Sequence, residues 1–379
     1  MLPRVAIIYL CYNNRSYLPD VFASLARLNY PAEKLEIVVV DNDSKDGSQE
    51  WLRQQTGITF LPSPTNLGFA EGNNLGMRHA LLGGAEFVYL LNGDAKLHSE
   101  AIMEAVKLAQ SEEKIGAVQS RIMLWKHPEI VNVTGGMVHF LGFGFARDNG
   151  KSWNGVRSGI RLFNKEGLTC CDEVKADFEV SDEKNPIPDL TPQIAYASGA
   201  AVLYRASVLR EVGLLDPFLF LYHEDLELGW RIRLAGYKNV LAPDSIAYHD
   251  YEFKRSIQKF YWMERNRIIV HASHLRLWTL LLLAPFMLAV ECGLVLFAIK
   301  GGWIREKFLV YINLLSPRSW MYVARKRRES RLLRRVSDRE IVRLWTGRIE
   351  HQETSSPVVD RLINPVLAGL WFFLKQLIR

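Results

Sequence analysis

Residues 4–10 read RVAIIYL and residues 35–40 read LEIVVV, two apolar runs in which polar and apolar positions do not alternate. A strand with one wet face alternates, whereas a parallel strand covered on both faces does not. Residues 16–29 lie between the two runs and set Leu18, Val21, Phe22, Leu25 and Leu28 on one helical stripe. The alternation then repeats. A helix is predicted over 45–55, a strand over 58–61, a Gly- and Asn-rich loop at 66–74 opening a helix to about 82, and a strand over 86–91 (EFVYLL). A helix over 99–110 and a strand over 115–121 follow. This order gives an α/β fold: a doubly wound, mostly parallel sheet.

Ligands of such sheets bind at the carboxyl ends of the strands. Polar clusters stand at three of those ends: Tyr12-Asn13, Asp41-Asn42-Asp43 and Asn92-Gly93-Asp94. Each alone is ordinary turn chemistry, but three at equivalent positions point to a site. Residues 124–190 read as long loops or a small hairpin insertion, and a stretch of that length is assigned to acceptor recognition. A strand over 196–204 contains Ser198-Gly199-Ala200-Ala201, so little bulk that close sheet packing or a resting sugar must fill the space.

Residues 222–231 read YHEDLELGWR and put Glu224, Asp225 and Glu227 in the first turn of a helix that stops at Gly236. Acids there suit the helix dipole. They are also like charges close together, which raises a carboxylate pKa and yields a general base. Spacing leaves open which of the three points inward. Short strands at 239–242 and 245–248 lead into His249.

Composition divides the chain. Residues 276–379 carry 18 basic against 8 acidic side chains, while the first 275 carry 29 against 33. A mildly acidic domain followed by a basic, apolar region points to an anionic membrane surface rather than nucleic acid. Cys11, Cys170, Cys171 and Cys292 have no metal-site spacing and read as free thiols of a reducing compartment. Residues 5–12 are too short an apolar run for a signal peptide.

The motifs VAIIYLCYNN, VVVDNDSKDGS, NLGFAEGNN, LLNGDA, SGAAVLYR, VGLLDPFLFLYHEDLELGWRIRLAGYKNVLAPDSIAYH and the RNR at 265–267 occur in that order. Together they resemble the family 2 glycosyltransferases, in particular their rhamnosyltransferase-like branch, over residues 4 to 270. The resemblance implies a GT-A catalytic domain over 1–270 and sugar transfer with inversion from a nucleotide-sugar, dTDP-rhamnose being one candidate. It further implies Tyr12, Asp41, Asn42 and Asp43 at the nucleoside, with Asn66, Gly68, Asn73, Asn74 and Asn92 near the diphosphate or sugar. Asp94 and His249 would hold a divalent cation, Mg2+ or Mn2+. Asn92 departs from the first Asp of the family's Asp-x-Asp motif; one or two carboxylates suffice when phosphate and water complete the shell. Asp225 would be the general base, with Glu224 or Glu227 as alternatives, and Ser198, Gly199 and Trp230 would meet the acceptor.

Residues 271–379 form the second region. Residues 277–299 are apolar and long enough to cross a bilayer, although Pro285 and Glu291 interrupt them; an interfacial hairpin is the alternative. A basic run at 325–335 and a second apolar stretch at 362–378 fit anionic cytoplasmic lipid. A similar tail in membrane-associated members of the family implies a polyprenyl-diphosphate-linked or other glycan acceptor at the cytoplasmic face. Two other readings compete: a catalytically silent glycan-binding membrane scaffold, and a nucleotidyltransferase, which lacks its Gly-rich, Lys-bearing phosphate loop here.

Overall fold

The computed structural model describes residues 1–157, 192–251, 257–349 and 357–379. The strands are β1 (Val5–Cys11), β2 (Leu35–Asp41), β3 (Thr59–Pro62), β4 (Phe87–Asn92), β5 (Ala95–Leu97), β6 (Ile115–Leu124), β7 (Val131–Val133), β8 (Gly136–His139), β9 (Gly144–Ala146), β10 (Ala201–Arg205), β11 (Lys238–His249) and β12 (Trp345–Thr346). The helices are α1 (Leu18–Leu25), α2 (Ser48–Leu52), α3 (Gly68–Leu82), α4 (Ala101–Ser111), α5 (Trp153–Arg157), α6 (Ala206–Val212), α7 (Glu224–Leu234), α8 (Ile257–His274), α9 (Leu277–Gly301), α10 (Ile304–Leu315), α11 (Pro317–Leu333), α12 (Asp338–Val342) and α13 (Asn364–Leu377).

The main sheet runs β3-β2-β1-β4-β10-β6-β11-β5, with β7 on the side of β6. Its first half is parallel. The missing alternation in β1 has its cause in two covered faces. Val5, Ile7, Tyr9 and Cys11 pack with α1 and α4, and Ala6, Ile8 and Leu10 pack with α3, α6 and α7.

The sheet is mixed beyond β4, because β10 runs antiparallel to both of its neighbours. Residues 196–200, expected in that strand, form the loop that enters it, and the Asn92 N–H donates to the Ala200 carbonyl (3.0 Å). The chain reversal therefore sets the small residues 198–200 beside the carboxyl end of β4. The two short strands expected before His249 are one strand, β11, with an irregularity between Ala242 and Ile246.

The stretch expected to be irregular supplies β7, β8, β9 and α5; its residues 158–190, with Cys170 and Cys171, lie outside the described residues. Cys11 is a buried free thiol and Cys292 an exposed one. Residues on both sides of position 270 share a hydrophobic cluster. Trp230, Ile269 and Val270 pack with Leu283, Tyr322, Trp345, Trp371 and Leu374, and β12 pairs with β8.

The basic run at 325–335 is half consumed by the fold. Lys326 meets Asp216, Arg327 donates to the Ala272 and Leu275 carbonyls, Arg334 pairs with Asp338, and Arg335 pairs with Glu211. Glu291, set against a clean membrane span in the sequence, meets Arg267 and Lys307.

Candidate active site

Four consecutive residues before α7 decide how its acids are presented. Phe220, Tyr222 and His223 all have positive φ (60°, 64° and 69°), a conformation that strains non-glycine residues. Asn266 of α8 holds this loop, its amide nitrogen lying 2.9, 3.1 and 2.7 Å from the Leu219, Leu221 and Tyr222 carbonyls. The RNR motif thus has a structural task, and Asn266 is a residue that sequence spacing alone did not single out.

The three carboxylates have three different environments. Glu227 is buried in a charge cluster with Arg231 (2.7 Å), His274 (3.1 Å) and Lys326 (3.9 Å). Burial alone raises its pKa, but Arg231, the His274 bond and Lys326 bring it below the usual range. It is committed to the fold and is not open to substrate.

Asp225 accepts from the Gly199 N–H (3.1 Å) and the Leu226 N–H (2.7 Å). Burial raises its pKa and these N–H groups oppose the rise. Glu224 is raised well above the ordinary value by burial and then by the charge of Asp225. Its Oε2 is buried without a hydrogen-bond partner among the described residues. Asp225 has the N–H groups of two other residues to stabilise a charge, so it is the better placed of the two to act as the base.

Both acids line a cavity of about 310 Å3, together with Asn92, Ser198, Gly199, Tyr222 and His249. The Ser198 N–H is held by buried Gln119 (2.8 Å). A Cβ on Gly199 would lie 2.9 Å from the Phe69 ring, so close packing is one reason for the small residue there. At the end of β11, His249 Nε2 is 3.0 Å from Asp94 Oδ1, and His249 Nδ1 is 3.0 Å from Asn132 Oδ1. Asp94, Asp225 and His249 are far apart in sequence and are brought to one end of the sheet. Asn132 sits in the stretch expected to be irregular, and no sequence signal marked it.

The remaining sites sort differently. Tyr12 is exposed, and Asp43 pairs with Lys45. Asp41 Oδ2 accepts from Ser44 N–H and Gln49, while Oδ1 is buried and unpartnered among the described residues. Asn42 donates to Asn66 Oδ1 and to the Gly68 carbonyl (both 3.1 Å), so both amides serve to knit two turns together.

Gly68 has φ +76°, and a Cβ there would meet the Phe220 ring, so close packing is one reason for the glycine. Asn73 and Asn74, expected at the donor, lie inside α3 and donate to the Phe69 (2.9 Å) and Leu215 (2.8 Å) carbonyls. Trp230, expected at the acceptor, is a core residue packed on His271, His274 and Trp345.

The sequence model described as glycosyltransferase like family 2 matches residues 3–269. The chain belongs to this family. This family 2 chain is 26 % identical over 240 residues to the low-salt glycan biosynthesis hexosyltransferase Agl10 of Haloferax volcanii, covering 62 % of each chain. It is 25 % identical over 201 residues to the galactofuranosyltransferase GlfT1 of Mycolicibacterium smegmatis, covering 53 % of this chain and 56 % of that one. An N-acetylglucosaminyl-diphospho-decaprenol L-rhamnosyltransferase of Mycobacterium tuberculosis is 24 % identical over 268 residues, covering 66 % of this chain and 76 % of that one.

The chain therefore spans about six-tenths of the length of the first two relatives. Among solved structures, GalNAc-T7 with UDP, GalNAc and Mn2+ superposes with a TM-score of 0.54 at 16 % identity, over 73 % of this chain and 49 % of that one. The family 2 chain has the GT-A type of mixed α/β sheet.

No group of three or more His, Cys, Asp or Glu side chains is placed to hold a metal among the described residues. Asp94 and His249 make a two-ligand set. The His249 Nδ1 bond to Asn132 favours the tautomer whose Nε2 lone pair faces the Asp94 carboxylate. Two lone-pair donors facing each other fit a cation whose other positions are taken by phosphate and water.

Four histidines, 139, 223, 271 and 274, are buried behind α7. Burial pushes His139 and His223 each down to about 4, with Arg267 adding to the effect. Unfolded imidazole takes up its proton near pH 6.5. Between pH 6.5 and 4 the unfolded chain therefore binds more protons, and stability falls as pH falls. Unfolding free energies measured between pH 6.5 and 4.5 are expected to drop by up to about 1.4 kcal/mol per pH unit for each imidazole. The double replacement His139→Asn/His223→Asn should flatten the slope, and an unchanged slope would exclude these two groups.

Proposed function

We propose that this chain transfers a sugar from a nucleotide-sugar to a hydroxyl of a glycan or lipid-linked acceptor, with inversion. One observation carries the reading: Asp225 and Glu224, both buried, share a cavity that His249 also lines, with Asp94 beside that histidine. Asp225, fixed by the Gly199 and Leu226 N–H groups, accepts the proton of the attacking hydroxyl. Burial and the Asp225 charge raise the Glu224 pKa, which disfavours a second charge beside the base. The loop held by Asn266 keeps Asp225 aimed into the cavity, and that preorganisation contributes through orientation.

Asp94 and His249 would hold a divalent cation, which when bound offsets charge on the departing diphosphate. Direct attack by one hydroxyl opposite that leaving group inverts the anomeric centre. Asn92 and Asp41 Oδ1 remain as polar contacts for the donor, while Asn42 and Asn66 shape the turn beneath it.

The same reading places the protein at a membrane. α9 is 25 residues long, of mean hydropathy 2.4 over its most apolar window, and only 6 % of that window is buried. Thr279, Leu283 and Ala298 pack inward, while Leu277, Trp278, Leu281, Leu288 and Leu296 are exposed. With Glu291 tied to Arg267 and Lys307, the helix is docked along one flank and offers the other to lipid, an interfacial arrangement.

The decisive experiment is turnover of a nucleotide-sugar panel, dTDP-rhamnose with UDP- and GDP-sugars, using membrane lipid extract with and without EDTA. Transfer from one donor that EDTA abolishes and Mg2+ or Mn2+ restores is expected. Turnover indifferent to EDTA would remove the cation, and no turnover with any donor would favour a silent binder.

A further inference from the structure

A second cavity, about 720 Å3, lies away from Asp225, where α8 ends, α9 begins and α11 passes. Arg276, Arg327, Arg331 and Arg334 line it with Ser273 and Ser330, and no carboxylate among the described residues does. Two of the arginines are fixed from behind. Arg327 donates to the Ala272 and Leu275 carbonyls, and Arg334 to the His274 carbonyl and Asp338.

The other two, Arg276 and Arg331, are exposed and have no side-chain hydrogen bond or ion pair with any described residue. Burial, then the charges of Arg331 and Arg334, hold Arg327 below its ordinary range, while Asp338 opposes them. Four guanidiniums with one acid behind them repel one another unless an anion joins them. Guanidinium forks match phosphate oxygens in geometry.

The notch also has a fixed place relative to the apolar surface. Arg276 is the residue before α9, and its N–H and the Thr279 hydroxyl both donate to Asp338. Leu277, Trp278 and Leu281 are exposed immediately beyond it, and Trp278 Nε1 donates to the Leu377 carbonyl at the end of α13 (3.2 Å). Phe372, Phe373 and Leu377 extend the exposed apolar surface from that side.

We infer that this notch is a phosphate site for a membrane lipid, taking a phosphomonoester or diphosphate headgroup between Arg276, Arg327, Arg331 and Arg334 while the lipid's apolar chain lies along the exposed flank of α9. The site is separate from the sugar-transfer cavity. It rests on the membrane-facing reading of α9 and not on the catalytic one.

The test uses the full chain and two probes: inorganic pyrophosphate in solution, and vesicles of phosphatidylcholine with or without a minor fraction of phosphatidic acid. The variant is Arg276→Gln/Arg331→Gln, which breaks no side-chain contact of the fold. The native chain is expected to bind the phosphatidic acid vesicles more tightly than phosphatidylcholine alone. The variant should lose that increment, about 30-fold for two basic residues, and should keep its phosphatidylcholine binding. It should also lose pyrophosphate binding seen by calorimetry.

Arg305→Gln/Arg318→Gln, two exposed arginines of the same region, is the control. An equal loss in the control assigns the effect to diffuse charge and overturns the site. Pyrophosphate bound equally by native chain and variant overturns it as well. Pyrophosphate binding that depends on the notch, with an unchanged vesicle increment, makes the ligand a soluble phosphate and overturns the lipid assignment. If no vesicle binds at all, the membrane reading of α9 fails and the lipid assignment with it, and the pyrophosphate arm still decides whether the notch binds phosphate.

Discussion

Asp225→Asn is expected to lower the transfer rate by about 10²–10⁴-fold, the usual contribution of a positioned base, while donor binding and the fold persist. The amide is nearly the same size as the carboxylate. Asp225 accepts from two backbone N–H groups, and the side-chain carbonyl of Asn can keep one of them. What is lost is the proton acceptor. The comparison that gives this result meaning is Glu224→Gln. Burial and the neighbouring charge raise the Glu224 pKa and so favour its protonated form; an amide there is a close mimic of that form, and the rate is expected to change by less than about tenfold. The acid limb of the pH–rate profile belongs to Asp225. It should lie above the ordinary carboxylate range because burial raises that group, with activity falling as pH drops through it. If Glu224→Gln abolishes turnover and Asp225→Asn does not, the two roles are exchanged; if neither matters, the cavity is not the reaction centre.

The strand order at the start of the chain was legible because burial on both faces leaves a plain mark, the unbroken apolar runs of β1 and β2. The polar ends of β1, β2 and β4 could be placed at one edge for the same reason. Less could be read where a residue's duty depends on a distant partner. Spacing put Glu224, Asp225 and Glu227 on one helical turn, but their separation into two acids at the cavity and a structural ion pair comes from Gly199, Arg231, His274 and Lys326.

The asparagines have structural duties that the sequence did not announce. Asn42, Asn66, Asn73 and Asn74 all bond to protein groups, and an amide that caps a turn has the same letter as one that meets a ligand. Trp230 shows the reverse, a residue whose motif position implied contact with substrate and whose surroundings are aromatic core. The antiparallel course of β10 had no local signature, since direction is set by the loop before it.

Arg267→Met is expected to destabilise the protein by about 3–5 kcal/mol, the cost of leaving a buried charge without its partner. The Arg267 side chain is 1 % exposed and bridges Glu264 of α8 (3.1 Å) and Glu291 of α9. Lys307 of α10 reaches the same two carboxylates, and the Tyr311 hydroxyl donates to Glu291 (2.8 Å). Without Arg267, two carboxylates face one lysine. The Leu141 carbonyl also loses its donor (2.9 Å) next to Gly142, whose carbonyl meets His223. Met keeps much of the aliphatic volume, so the loss reports charge rather than a cavity.

The test is denaturant unfolding of the single variant and of Arg267→Met/Glu291→Gln. Removing one acid with the arginine restores a neutral pair and should recover more than half of the loss. A single variant as stable as the parent, or a double variant worse than the single, would mean that the network is solvated and that Glu291 does not anchor α9. The consequence reaches the site through α8. Asn266 and Arg267 are adjacent, one holding the strained loop before Asp225 and the other holding the apolar helix. A change in how α9 is seated is therefore one residue away from the loop that aims the base.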